Sequence, residues 1–134
     1  METLIKFETA KKAKEKGFDE RCTHGYNTFE EGHIRNGEFR DLYDRYHGDY
    51  NGWKNSESTQ DSYATAPPQS VLQKWLREVH DIKISISFYD DGKNQYWTCF
   101  IHIPSQSQQA YICGEDVYED ALERGLFEGL LLIS

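Results

Sequence analysis

The residues suited to chemistry are scattered along the chain. Cys22 and His24 stand one residue apart, and His33 follows nine positions after His24. Thiolate and imidazole are zinc ligands, but a closed site takes four, and no fourth stands at ligand spacing. No metal is expected, and no cofactor is implied. Asp41, Asp44 and Asp49 are interleaved with Tyr43, Tyr46, Tyr50 and Trp53. Carboxylates beside rings suit a sugar or small-ligand site, with Tyr43, Tyr46 and Trp53 as the stacking surfaces. The competing reading, rings of a wrapping segment tucked onto a core, is favoured. Lys11, Lys12, Lys14 and Lys16 offer an anion-binding face. Gln73, Lys74, Arg77 and Glu78 offer a polar surface to a partner. Cys99 and Cys113 fit a pair of buried thiols on neighbouring strands. His80 and His102 read as surface residues. There is no phosphate-cradling glycine loop, GxSxG, HExxH or paired CxxC. No base, nucleophile and orienting group can be assembled. No catalytic residue is assigned, and a non-enzymatic role is favoured.

The elements that must position these residues are partly legible. Residues 2–16 place Leu4, Phe7, Ala10 and Ala13 at helical spacing, and Gly17 ends the run. Phe18 should fold back towards Ala13 after that glycine. Residues 18–66 are irregular and expected to wrap the core. Within them, Phe39, Leu42, Tyr43 and Tyr46 favour a short helix between Asn36 and Gly48, although Asn36-Gly37 is also a hairpin signal.

Residues 67–80 form an amphipathic helix with Val71, Leu72, Trp75, Leu76 and Val79 on one stripe. Pro67 or Pro68 suits its first turn. A strand follows with Ile82, Ile84, Ile86 and Phe88 on one face. A second strand sets Trp97, Cys99, Ile101 and Ile103 on its own apolar face. A two-residue turn at Asp91-Gly92 would pair Ile86 with Trp97 and Ile84 with Cys99. Residues 110–113 suit a short third strand. The last helix carries Tyr118, Ala121, Leu122, Gly125, Leu126, Gly129 and Ile133 on its stripe. Asp116 and Glu119 form a capping box, and the small residues signal close approach to the sheet. Trp75 is expected in the core, against the strand over residues 82–88.

The bulk numbers narrow the function classes. The chain has 134 residues, suited to one domain made of an N-terminal helix, an irregular wrap and a C-terminal core. Its net charge is −8. Residues 1–17 hold five lysines against three glutamates, and each of 18–67 and 68–134 holds five basic against ten acidic residues. Such a surface repels phosphate backbones, so nucleic acid is disfavoured and a protein partner is expected. No run approaches the length of a membrane span, and the N-terminal stretch has no apolar signal region. Three cysteines without CxxC fit a reducing cytoplasm.

The fold class expected is α+β: helices on one face of a small antiparallel sheet, with the C-terminal half in the order α-β-β-(β)-α. This is the order of a double-stranded RNA-binding domain. Such domains clamp phosphates with lysines at the start of the last helix, where this chain has Glu115, Asp116, Glu119 and Asp120. Two segments, "APPQSVLQKWLRE" and "YEDALERGLFEGLLLI", with the N-terminal "TAKKAKEKGF", resemble a set of small uncharacterised proteins of gut bacteria, their phages and mobile elements. Pro68 and Gly129 depart from the Thr and Ala of that pattern. The resemblance implies a phage or prophage context and a bacterial cytoplasm, and it carries no catalytic residues. Three functions follow: an accessory protein acting by protein contact, a nucleic-acid module using the lysine face with Lys74 and Arg77, and a ligand binder at residues 39–53.

Overall fold

The computed structural model describes residues 3–22, 24–27, 39–41, 54–57, 63–104 and 109–133. The chain divides into two units, Leu4–Pro68 and Gln69–Ser134 with Met1–Thr3. Among the described residues they hold three α-helices and two three-stranded antiparallel sheets, a mixed α+β architecture.

In the unit Leu4–Pro68, helix α1 spans Phe7–Glu15. It starts later than the periodicity suggests because residues 4–6 are used otherwise. Leu4 forms a β-bridge with Pro68, and the Ile5 N–H donates to the Pro67 carbonyl at 3.0 Å. Phe7, Ala10 and Ala13 are buried as expected. Gly17, at φ 95°, turns the chain out of the helix, which only glycine does without strain. The Phe18 N–H then reaches the Ala13 carbonyl at 2.9 Å and the Gly17 N–H reaches Lys14 at 3.2 Å. This double bond pattern satisfies the last carbonyls of the helix. Phe18 is buried at 1% exposure, the fold-back its position called for.

The short helix favoured around residues 36–48 gives way to strand where the chain is described. Phe39–Asp41 forms β2 beside β1, His24–Asn27, which pairs on its other edge with β3, Tyr63–Thr65. The registers set Tyr26 opposite Phe39 on one side and Ala64 on the other. Pairing with β1 overrides the helical spacing there, and Asn36-Gly37 lies outside the described residues. Tyr26 donates its hydroxyl to the Ile5 carbonyl at 2.7 Å and meets Phe7 edge-on. Asn55, in the 3-10 turn Asn55–Glu57, is a buried clamp. Its amide donates to Phe18 O at 2.8 Å, and its Oδ1 accepts from the Thr65 N–H at 2.9 Å.

The unit containing residues 69–134 runs α2 (Gln69–His80), β4 (Lys83–Asp90), β5 (Gln95–His102), β6 (Gln109–Glu115) and α3 (Tyr118–Leu131). The order α-β-β-β-α is the expected one, and the sheet order is β4-β5-β6. Both prolines precede α2: Pro67 and Pro68 lie in extended chain. Residues 90–95 close a four-residue loop, so Ile86 lies opposite Cys99 and Phe88 opposite Trp97, two residues away from the register a two-residue turn would set. Asp91 selects the longer loop. Its Oδ1 accepts from the N–H groups of Lys93 at 2.9 Å and Asn94 at 2.6 Å. A shift of two preserves the side-chain alternation, so the apolar face survives the change.

Leu72, Trp75 and Leu76 of α2 are buried, and Ile82, Ile84, Cys99 and Ile101 supply the sheet side of the core. The capping box at α3 does not form: Val117 is the N-cap, without a side-chain bond. The Val117 carbonyl instead accepts from Asp120 and Ala121. The glycines of α3 do bring it close to the sheet. A β-carbon on Gly125 would lie 2.8 Å from Ile84 Cγ2 and 3.3 Å from Cys99 Cβ. One on Gly129 would lie 3.1 Å from Ile84 Cδ1. Gln69 ties the two helices together. Its buried amide donates to the Glu119 carbonyl at 2.8 Å and to Glu123 Oε1 at 2.9 Å.

Candidate functional site: an aromatic patch at the end of the hairpin

The apolar faces of the hairpin extend beyond their cover. Along β4, Ile84 is buried, Ile86 half-buried and Phe88 50% exposed. Eight strand residues reach about 26 Å. The twelve residues of α2 reach only about 18 Å. The distal end of the hairpin is therefore left to α3, and α3 begins there.

Phe88 packs against Trp97 with ring centroids 4.9 Å apart, and Trp97 meets Tyr118 edge-on at 5.3 Å. Tyr118 is 41% exposed and Val117 47%. Three rings in series thus form a continuous, partly solvated surface, and the exposed Val117 precedes Tyr118 in the chain. Trp97 is half-buried at its centre. Each offset or edge-to-face ring pair holds its geometry by about 0.5–1.5 kcal/mol beyond area burial, so the surface is preformed. Sequence periodicity placed Phe88 and Tyr118 inside the core, and both are exposed. Val79, also assigned to a core stripe, is 59% exposed. The signal available was local: Val117 and Tyr118 sit inside "GEDVYED", an apolar pair flanked by carboxylates.

Charge around this surface is predominantly negative. Asp90 and Asp91 close the hairpin. Glu115 stands opposite Trp97 across the β5–β6 pair, Asp116 follows it, and Glu119 and Asp120 occupy the first turn of α3. Backbone hydrogen bonds from Asn94 and Lys93 hold the Asp91 carboxyl below the usual range, so it keeps its charge well into mild acid.

The residues singled out from the sequence lie as follows. On α2, Lys74, Arg77 and Glu78 are exposed. Gln73 is engaged instead, its amide donating to the Ile84 carbonyl at 2.7 Å. On α1, Lys12 bridges Glu15 at 2.9 Å, and Lys11 stands 5.4 Å above the Phe7 ring. The hydrogen bond and charge of Lys12 lower the Glu15 pKa, so the lysine row carries its own counter-charge. Tyr43, Tyr46 and Trp53 lie outside the described residues, as does His33.

Cys22 is buried, and desolvation pushes its thiol up to about 11. Cys99 is a fully buried cysteine opposite Tyr111, and the Cys113 side chain is outside those described. Trp75 is buried at 7% exposure, its ring meeting His80 edge-on at 4.7 Å. Among the described residues no three His, Cys, Asp or Glu side chains come together as metal ligands. Among them, too, no helix is long and apolar enough to cross a membrane. No protein-family model matches the chain, and no match was found among curated proteins or solved structures.

Proposed function

We propose that this is a non-enzymatic accessory protein that works by contact with another protein. The observation that supports this reading is the patch of Phe88, Trp97, Val117 and Tyr118. Large apolar side chains left contiguous at a surface mark interaction sites more often than scattered ones do. Aromatic residues are also the commonest interface anchors. The setting proposed is the cytoplasm of a gut bacterium carrying the gene on a phage or mobile element, on the strength of the N-terminal and C-terminal motifs. The nucleic-acid reading is weaker, because carboxylates occupy the start of α3 where a phosphate clamp needs cations.

The test compares two baits in lysate of such a bacterium, the wild type and a Phe88→Ser/Tyr118→Ser variant. Both side chains are substantially exposed, so the variant should fold. Recovery of a discrete protein by the wild type and its loss with the variant is the expected result. Identical recoveries from both baits would defeat the reading.

A further inference from the structure

We propose that the patch of Phe88, Trp97 and Tyr118 docks a basic segment of a partner protein, with lysines or arginines placed around an aliphatic or aromatic anchor. The inference rests on the protein-contact reading and goes beyond it by naming the chemistry of the partner.

Two features complement such a segment. The floor is apolar and preformed: the rings touch in series at 4.9 and 5.3 Å, and Val117, next to Tyr118 in the chain, is exposed. The rim is anionic. Between residues 88 and 120 stand six carboxylates, Asp90, Asp91, Glu115, Asp116, Glu119 and Asp120, against one lysine, Lys93. Their positions are tied to the floor. Asp90 lies two residues beyond Phe88 on the same strand, and its side chain is held by the Gly92 N–H at 2.9 Å. Glu115 is the strand partner of Trp97, and Asp116 and Glu119 bracket Val117 and Tyr118.

A cation brought to this rim meets attraction from several carboxylates at once, and ring faces add to it. An acidic or phosphate-bearing partner meets repulsion. A second copy docking through the same patch would set six carboxylates against six, so a twofold self-contact is disfavoured.

The experiment titrates isotope-labelled full-length protein by NMR with three probes. These are a short peptide of lysines interspersed with leucines, a glutamate–leucine peptide of the same spacing, and oligolysine. The lysine–leucine peptide should saturably shift the Trp97 indole and the amides of Phe88, Val117 and Tyr118. The glutamate–leucine peptide should shift none of them. Oligolysine, lacking an anchor, should bind at least about tenfold more weakly, because anchors dominate interface energies.

Phe88→Ser should weaken the lysine–leucine peptide by about tenfold. Asp116→Asn should weaken it a few-fold, and Glu8→Gln on α1 should leave it unchanged. Silence from all probes, or an equal response to both leucine peptides, would overturn the proposal. Shifts centred on Lys74, Arg77 and Glu78 would overturn this site while leaving the protein-contact reading intact. Concentration-dependent shifts at the patch in the absence of peptide would make a second copy the occupant and overturn it too.

Discussion

At position 125, Cβ is missing because no room exists for it. Its nearest neighbours would be Ile84 Cγ2 at 2.8 Å and Cys99 Cβ at 3.3 Å. The first belongs to a stiff, β-branched side chain and the second is anchored directly to backbone. At Gly129 the nearest atom is the far end of Ile84, at 3.1 Å, which can give way. Alanine improves an exposed helix by roughly 1 kcal/mol over glycine. Overpacking a core costs about 1–3 kcal/mol. Gly125→Ala should therefore lose stability on balance, by up to about 2 kcal/mol. Gly129→Ala should fall within about 0.5 kcal/mol of the parent. Urea denaturation of the two variants checks the order.

Trp75 offers a second residue-scale test. It is 7% exposed on the inner stripe of α2, so Trp75→Ala should cost about 3–5 kcal/mol by the same measurement. The thiols offer a third. Cys22, raised to about 11, stays protonated at neutral pH, and both Cys22 and Cys99 are buried. Iodoacetamide should leave them unmodified in the native protein and label them in denaturant, as peptide mapping would reveal. Rapid native labelling of Cys22 would contradict its burial.

At the scale of elements, the sequence is most legible where one pattern acts alone. The α1 stop needed only Gly17 and Phe18, and both behave as read. The α-β-β-β-α order followed from clean period-2 and period-3.6 runs. Errors arose where signals competed. At the hairpin, Asp91-Gly92 suits a two-residue turn, but the Asp91 side chain gathers two further N–H groups and extends the loop. Residues 39–41 carry helical spacing yet pair with β1, an outcome set by a strand more than ten residues earlier.

The α3 start likewise has a capping sequence, but Val117 takes the cap position. The patch itself was illegible for a geometric reason. Periodicity states which residues share a face, not how far the opposing helices reach along it. Phe88, Val79 and Tyr118 sit on the stripes that periodicity draws, yet each is exposed.

For the whole molecule, net charge and surface chemistry point the same way. The chain carries −8, and the C-terminal unit concentrates carboxylates beside its exposed rings. On the proposed reading this surface selects cationic amphipathic partners over nucleic acid, and the electrostatic part of that preference weakens with salt. The polar outer face of α2 remains exposed at Lys74, Arg77 and Glu78, so it serves as the internal control for any contact claim.

The most direct measurement places a photo-crosslinking amino acid at position 88, and separately at position 79, in the protein expressed in a gut bacterium. Both positions are at least half exposed, so access alone does not separate them. The account predicts a discrete protein adduct from position 88 that disappears when Tyr118 is also changed to serine, and none from position 79. The same adducts from both positions, or none from position 88, would contradict it.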